Sequence, residues 1–577
     1  MKLSIKKEKK QIGPDNTLSS EILKFNDESV KVRKICKVLR LGNFFTNFFI
    51  CCFFLVFIVV QIKLADFEIL SQAVEDLATM RGCIVRISAN ARSLELLKHQ
   101  EAVYYDSIYY KQKLIFNSDE IKERLLGLDK YNSVFPIESK LKNQEIVVVQ
   151  CYNNTCSMSG TNLYQGILDL NLKVSTWVGS GMNDEDALLY IYNNAFNRLF
   201  TDLNNTIYSV LDDIHLKTVE LFWFFIKIKS IIFIPLTLLL ILSLGSLYYL
   251  DKINRQQWNY LSDVSTQSLI QIRIKVVNRI KVLNECFVSL DSEKSRRPML
   301  FEHFWVWYIL SYCFLFTLSL IFCIIIVFDI EQPLFDLSLT HISNTFWSGS
   351  RLSVIFNCFL WGREEYLMNT KFSYKYLFTD YYQSPTPKQL LTEYLNELSN
   401  IEKYSLEQIN NLNTKGYNFN NYFTYLSGSP CEILKITNCT VSTVSKGIHP
   451  ALSLYIQDIE LLISSPYTKN SPLLKRIEYD LETIYSALIT SFAYLSDKLH
   501  SYTLYYTNLS IILCIIWIIL LLISFHFAQK QTIQKIELSL LSKNELILLL
   551  QDTRISRTQQ SLIESQPSHL SYNTLTK

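Results

Sequence analysis

The chain has 577 residues, 49% of them hydrophobic and only 14 of them glycine, a balance that excludes an ordinary soluble multidomain chain and points to membrane-embedded helices. A formal charge of +3 gives no reason to expect a nucleic-acid partner, since the excess is concentrated in the N-terminal tail. The eight histidines are scattered, and GxGxxG, GxxxxGK[ST], HExxH and CxxC patterns are all missing, so nucleotide, zinc-protease and zinc-ribbon chemistries have no support.

Residues 1–42 form a basic cytoplasmic tail that ends in a juxtamembrane helix, whose expected partner is the anionic surface of the lipid bilayer. Four apolar runs follow: Asn43–Ile62, Ser230–Leu250, Phe304–Phe328 and Leu509–Phe527. None contains Asp, Glu, Lys or Arg, and each is long enough to cross a hydrocarbon core of about 30 Å as a helix. That lack of internal charge also argues against an ion or substrate path. The first run starts too late and is too long for a cleavable signal peptide, so it reads as a signal anchor. Lys31, Arg33, Lys34, Lys37 and Arg40 precede the first run, and Lys252 and Arg255 follow the second. Lys294, Arg296 and Arg297 precede the third, while Lys530 and Lys535 follow the fourth, which puts both termini in the cytoplasm.

Segments 63–229 and 329–508 then lie on the far side as two tandem extracytoplasmic domains. In the first, Phe67, Leu70, Val74, Leu77 and Ile84 predict an amphipathic stem continuing the first span. Glu145–Cys151 and Ile167–Val174 predict two strands joined across a loop, and Leu188, Ile191, Ala195, Leu199 and Leu203 predict a helical return stem capped by Asn183. In the second, Ser-Pro-Thr-Pro at 384–387 starts a new helix, and Glu432–Ile448 carries the strand-like residues. Four N-x-Ser/Thr sequons fall in these segments, and Asn153, Asn204 and Asn438 are the glycosylation candidates. The fourth, Asn508, abuts the last span. Of 13 cysteines, Cys151 with Cys156 and Cys431 with Cys439 are the expected disulfides in an oxidising lumen. Cys83 and Cys358 are left over, free to pair across domains or between chains.

Residues 251–303 form a cytoplasmic loop and 528–577 a cytoplasmic helix with a disordered tail. Here Leu261-Ser-Asp-Val-Ser-Thr-Gln-Ser-Leu-Ile270 recurs as Leu538-Ser-Leu-Leu-Ser-Lys-Asn-Glu-Leu-Ile547, identical at five of ten positions and offset by 277. Thr206-Ile-Tyr-Ser209 recurs at Thr483–Ser486 with the same offset, so the chain reads as one unit written twice. Leu269, Ile272 and Val276 in the first copy, with Leu538 and Ile547 in the second, mark amphipathic coupling helices that pack on each other as a parallel pair, on a partner or on the inner leaflet.

The fold class that results is a polytopic α-helical membrane protein. It has four transmembrane helices, two tandem mainly helical outer domains with a small β-hairpin, and an internal duplication. The expected function is a receptor- or sensor-like protein of the plasma membrane or a secretory-pathway membrane, with no catalytic residues, cofactor or metal. Its partners would be the bilayer, an unidentified cytoplasmic protein that carries the output, and a second copy in a homo-oligomer. The organisation is similar in outline to the membrane portion of protist receptor-type cyclases. The alternative is a structural, adhesion or membrane-fusion protein, resembling in topology the fungal pheromone-regulated membrane proteins, which have four spans and two glycosylated outer loops.

Overall fold

The computed structural model describes residues 15–99, 101, 103–152, 155–265, 267, 270–274, 321, 332–372, 386–415, 417–434, 439–524 and 530–564. The chain divides into two compact units. The first comprises Met1–Ile58, Phe225–Ile326 and Ile511–Lys577; the second comprises Val59–Phe224 and Val327–Ser510. Among the described residues two helices are long and apolar enough to cross a membrane, Asp27–Lys63 and Pro472–Leu520. The run at 230–250 lies within one helix, α6 (Phe200–Ser262), and the run at 304–328 lies outside the described residues except at Ile321.

In the first unit, α1 (Asp15–Lys98), α6 and α12 (Gln531–Glu564) share a core of Val32, Cys36 and Leu39, of Leu247, Leu250 and Ile253, and of Ile533, Ile536 and Leu540. The spacing of three and four on each helix buries one stripe. Farther along α12, Ile547 and Leu550 are buried too. Lys543, which interrupts the stripe, donates to Asn254 Oδ1 at 2.6 Å and stands 4.5 Å from the Trp258 ring centroid. The second coupling helix therefore packs on α1 and on the end of α6. The expectation that it pairs with the 269–283 stretch falls largely on residues 275–283, which lie outside the described residues. Leu538 points outward, Leu261 is half-buried and Ile272 is buried, while Leu269 and Val276 lie outside the described residues.

The second unit groups the two intervening segments together. Four long helices build it: α1, α6, α7 (Gln332–Tyr366) and α11 (Pro472–Ser524). Leu70, Val74, Leu77 and Ile84 of the expected stem are all buried. Ala78 and Gly349 bring α1 and α7 into close approach. Around them lie α2 (Ser107–Leu126), α3 (Ile137–Asn143), α4 (Leu163–Gly179) and α5 (Glu185–Asn194) in the first half. In the second lie α8 (Pro387–Thr414), α9 (Asn420–Ser427) and α10 (Ile448–Ser464). Pro387 begins α8 behind a Thr386–Gln389 capping box, as the Ser-Pro-Thr-Pro breaker implied.

Strands β1 (Glu145–Tyr152) and β2 (Thr155–Asn162) pair antiparallel with Cys151 opposite Cys156, whose sulfurs are bonded across a Cα separation of 4.0 Å. The expected strand at Ile167–Val174 is instead α4. Ile167, Leu170, Asn171 and Val174 form one buried stripe, and Asn162 Oδ1 caps the helix by accepting from Gln165 N at 2.8 Å. The apolar alternation was overridden by a good cap and a period of 3.6. Of Glu432–Ile448, residues 435–438 lie outside the described residues; the rest includes part of a helical turn at Cys431–Leu434 and a 3-10 turn at Thr443–Lys446. Gly447 ends this stretch at φ +108°, where a Cβ would lie 2.6 Å from Leu426 O. The return stem starts at Glu185, capped by Asp184 and not Asn183. A π-helical segment, Ala195–Leu199, joins α5 to α6. Just before it, Asn194 accepts from Val149 N and donates to Val149 O, each at 2.7 Å, and so ties the hairpin to the bundle.

Candidate functional site

Polar side chains on α1 and α7 meet in a parallel ladder inside the second unit. Ser71 and Thr345 hydroxyls share a hydrogen bond at 3.1 Å; Arg81 Nη2 donates to Ser350 Oγ at 2.7 Å, and Arg363 Nη1 donates to Ser93 Oγ at 2.7 Å. These partners are 274, 269 and 270 residues apart, so the stems of the two halves lie side by side at nearly the spacing of the sequence repeat.

The strongest rung is Arg92 with Glu364. Nε donates to Oε1 at 2.9 Å and Nη2 to Oε2 at 3.0 Å, a bidentate pair whose side chains are only 4% and 3% exposed. Nη1 donates to Glu95 Oε2 at 2.8 Å, which also accepts from Tyr192 OH at 2.8 Å. Burial works against the Arg92 charge, and the Glu364 carboxylate outweighs it, so its pKa stands above the ordinary arginine value. One turn along, Glu478 on α11 accepts from Tyr110 OH at 2.6 Å, Tyr104 N at 2.7 Å and Ser93 Oγ at 3.3 Å. Burial pushes the Glu478 carboxyl up despite these donors, and it pulls Arg363 down.

A third cluster joins α7, α8 and α10. Arg351 pairs with Glu402, which accepts from His449 Nδ1 at 3.1 Å. Burial would raise the Glu402 carboxyl, but Arg351 and His449 outweigh it and hold it below its ordinary value. The same hydrogen bond raises His449. These arrangements hold helices together. Among the described residues no three His, Cys, Asp or Glu side chains are grouped to hold a metal.

Beside the ladder, α1, α2, α7 and α11 enclose a cavity of about 210 Å³. Gly82, Phe116, Leu352, Ile489 and Phe492 supply apolar wall, and Arg86, Arg124, Glu75 and Glu120 supply charge. Phe116 and Ile489 are exposed, so the cavity reaches solvent past them.

No protein-family model, no curated protein and no solved structure matches this chain.

The sequence-predicted residues are spread over the molecule. Cys151–Cys156 and Cys431–Cys439 are bonded pairs, and Cys83 and Cys358 are buried free thiols whose pKa burial pushes up. Asn153 and Asn438 lie outside the described residues. Asn204 lies within α6, half-buried, with Oδ1 accepting from Arg81, a place that does not fit a glycan. The buried arginines were not singled out from the sequence. Their signal was there: Arg81 and Arg92 recur as Arg351 and Arg363, 270 and 271 residues on.

Proposed function

We propose that the chain is a receptor- or sensor-like integral membrane protein with four spans and cytoplasmic termini, whose second unit is extracytoplasmic. The observation that carries this reading is the parallel α1–α7 ladder, in which the incoming stems of both halves are joined by a buried, bidentate Arg92–Glu364 pair. A one-chain equivalent of a dimeric sensor needs such a seam. Two packed stems have discrete arrangements, and a ligand that favours one of them shifts the population by its difference in affinity.

Several features support it. The units divide at 58/59, 224/225, 326/327 and 510/511, close to the span edges expected from hydropathy. Helices α1, α6 and α11 each have residues in both units, so a displacement of a stem has a continuous helix to travel along. In the first unit α12 packs on two of these three helices, where an output partner would read the change.

The test is proximity labelling from a tag after residue 577 in cells, with and without a disulfide engineered between positions 71 and 345 to lock the ladder. The proposal expects cytoplasmic proteins to be labelled and their recovery to change with the lock. Labelling of lumenal proteins, or an unchanged partner set, would contradict it.

A further inference from the structure

Five arginines of the second unit are buried: Arg81, Arg86, Arg92, Arg351 and Arg363. Four of them donate to oxygen. Arg81 reaches Asn204 and Ser350, Arg92 reaches Glu364, Arg351 reaches Glu402, and Arg363 reaches Ser93 and the Ala89 carbonyl. Arg86 differs. It is 6% exposed, its Nη2 donates to Cys83 Sγ at 3.0 Å, and its Nε has no hydrogen-bond partner. The Tyr485 ring, with its centroid 4.6 Å from the guanidinium carbon, covers one face. A neutral thiol is a weak acceptor and a ring gives no hydrogen bond, so the guanidinium keeps unmet demand for a carboxylate. A buried cation whose Nε is unmet is costly even with the Glu482 charge acting on it, and here it lines a cavity of about 210 Å³.

The shape of that cavity limits what meets the demand. Its α1 wall runs from Glu75 through Ala78, Thr79 and Gly82 to Arg86, which at 1.5 Å per residue is about 16 Å of helix. A volume of about 210 Å³ spread over that length makes a narrow slot and not a bowl. A Cβ built on Gly82 would meet nothing within 4 Å, so the slot stays open at mid-length. The wall there is apolar, from Phe116, Leu352, Ile489 and Phe492. The two acids that also line it do not oppose an anion at Arg86. Glu120 is already held by Arg124 Nε at 2.7 Å, and Glu75 is at the opposite end, where burial pushes its carboxyl up toward the neutral form.

From this geometry we infer that the cavity binds an unbranched aliphatic monocarboxylate, with the carboxylate on the Arg86 guanidinium and the chain along Gly82 toward Glu75. This names the ligand class of the sensor proposed above and rests on that reading only for its consequence; binding is measured without any output. An aliphatic chain in the slot has two sources, a free acid and the acyl chain of a lipid. Only the free acid brings a carboxylate to Arg86, and the two differ in mass.

The experiment uses the full chain in nanodiscs, titrated with hexanoate, octanoate and decanoate, and with octanol and octylamine as length-matched controls. Calorimetry and thermal unfolding are the readouts, and native mass spectrometry of the purified chain reports what it already carries. Octanoate is expected to bind saturably and raise the unfolding temperature, octanol at least tenfold more weakly, and octylamine not at all. Arg86→Gln should lose octanoate binding at least tenfold while unfolding no earlier than the parent without ligand, because it removes a buried charge whose Nε is unmet. Gly82→Leu fills the slot, leaves Arg86 in place, and should abolish binding. A mass increment of a free acid supports the assignment. An increment of a whole phospholipid overturns it, as do equal affinities for octanoate and octanol or unchanged binding in Gly82→Leu. Binding that follows this pattern while the proximity-labelled partners ignore octanoate would sink the sensor reading and leave the site standing.

Discussion

Ala78 and Gly349 touch so closely that a Cβ placed on Gly349 would lie 2.4 Å from the Ala78 Cβ. Neither atom belongs to a flexible side chain, so only a backbone shift could relieve the overlap. Gly349 is thus the one helical glycine on α7 whose missing side chain sets the spacing of the stems. Gly349→Ala is expected to destabilise the protein by about 1–3 kcal/mol through overpacking. At Gly82, where a methyl meets nothing within 4 Å, alanine should stabilise by about 0.5–1 kcal/mol through helix propensity. Denaturant titration of the two variants should move in opposite directions.

Removing one partner of the buried Arg92–Glu364 pair strands a charge. Glu364→Leu alone should cost about 3–5 kcal/mol, whereas Arg92→Met with Glu364→Leu should recover a large part of that loss. A double-mutant cycle measures it, and additive losses would mean that the pair is not coupled.

Two histidines give opposite pH dependences. Burial, with His500 adding to it, holds His341 down at about 4, and its Nε2 is 3.1 Å from Ser496 Oγ. The unfolded chain protonates this histidine near its ordinary value and the folded chain does not. Stability is therefore lost as pH falls from about 6.5 toward 4. His449 is raised by Glu402, so its contribution is complete below the ordinary histidine pKa and fades as pH rises through the raised one. Unfolding of His341→Asn should lose the acid-side decline; His449→Asn should flatten the neutral side.

Much of the fold was legible because stems and spans repeat an apolar residue every three or four positions over many turns. Leu70, Val74, Leu77 and Ile84 of one stem all reach the core, as do Ile533, Ile536, Leu540, Ile547 and Leu550 of α12. What misled was short-range pattern. Ile167–Val174 alternates over eight residues, yet the Asn162 cap and the buried stripe from Leu163 to Trp177 decide for a helix. The ladder was illegible for a different reason. Arginine within an apolar stripe looks like an interruption until the partner helix supplies Glu364 or Ser93, and that partner is some 270 residues away in sequence.

Two sequons are expected to differ in glycosylation. Tyr152, the residue before Asn153, is 76% exposed, so Asn153 is expected to carry a glycan, whereas Asn204, which accepts from Arg81, is expected to stay bare. Asn153→Gln should abolish an endoglycosidase-sensitive mobility shift that Asn204→Gln leaves intact.

The central claim, that the stems of the two halves pair in parallel within one chain, is tested most directly by cysteine cross-linking in native membranes. Ser71 Oγ and Thr345 Oγ1 are 3.1 Å apart, so Ser71→Cys with Thr345→Cys should form a disulfide under mild oxidation. Ser71→Cys with Ser353→Cys, eight residues or about 12 Å farther along α7, should not. The account predicts an intramolecular bond at monomer mass for the first pair only. No bond at all, or a bond that joins two chains, would contradict it.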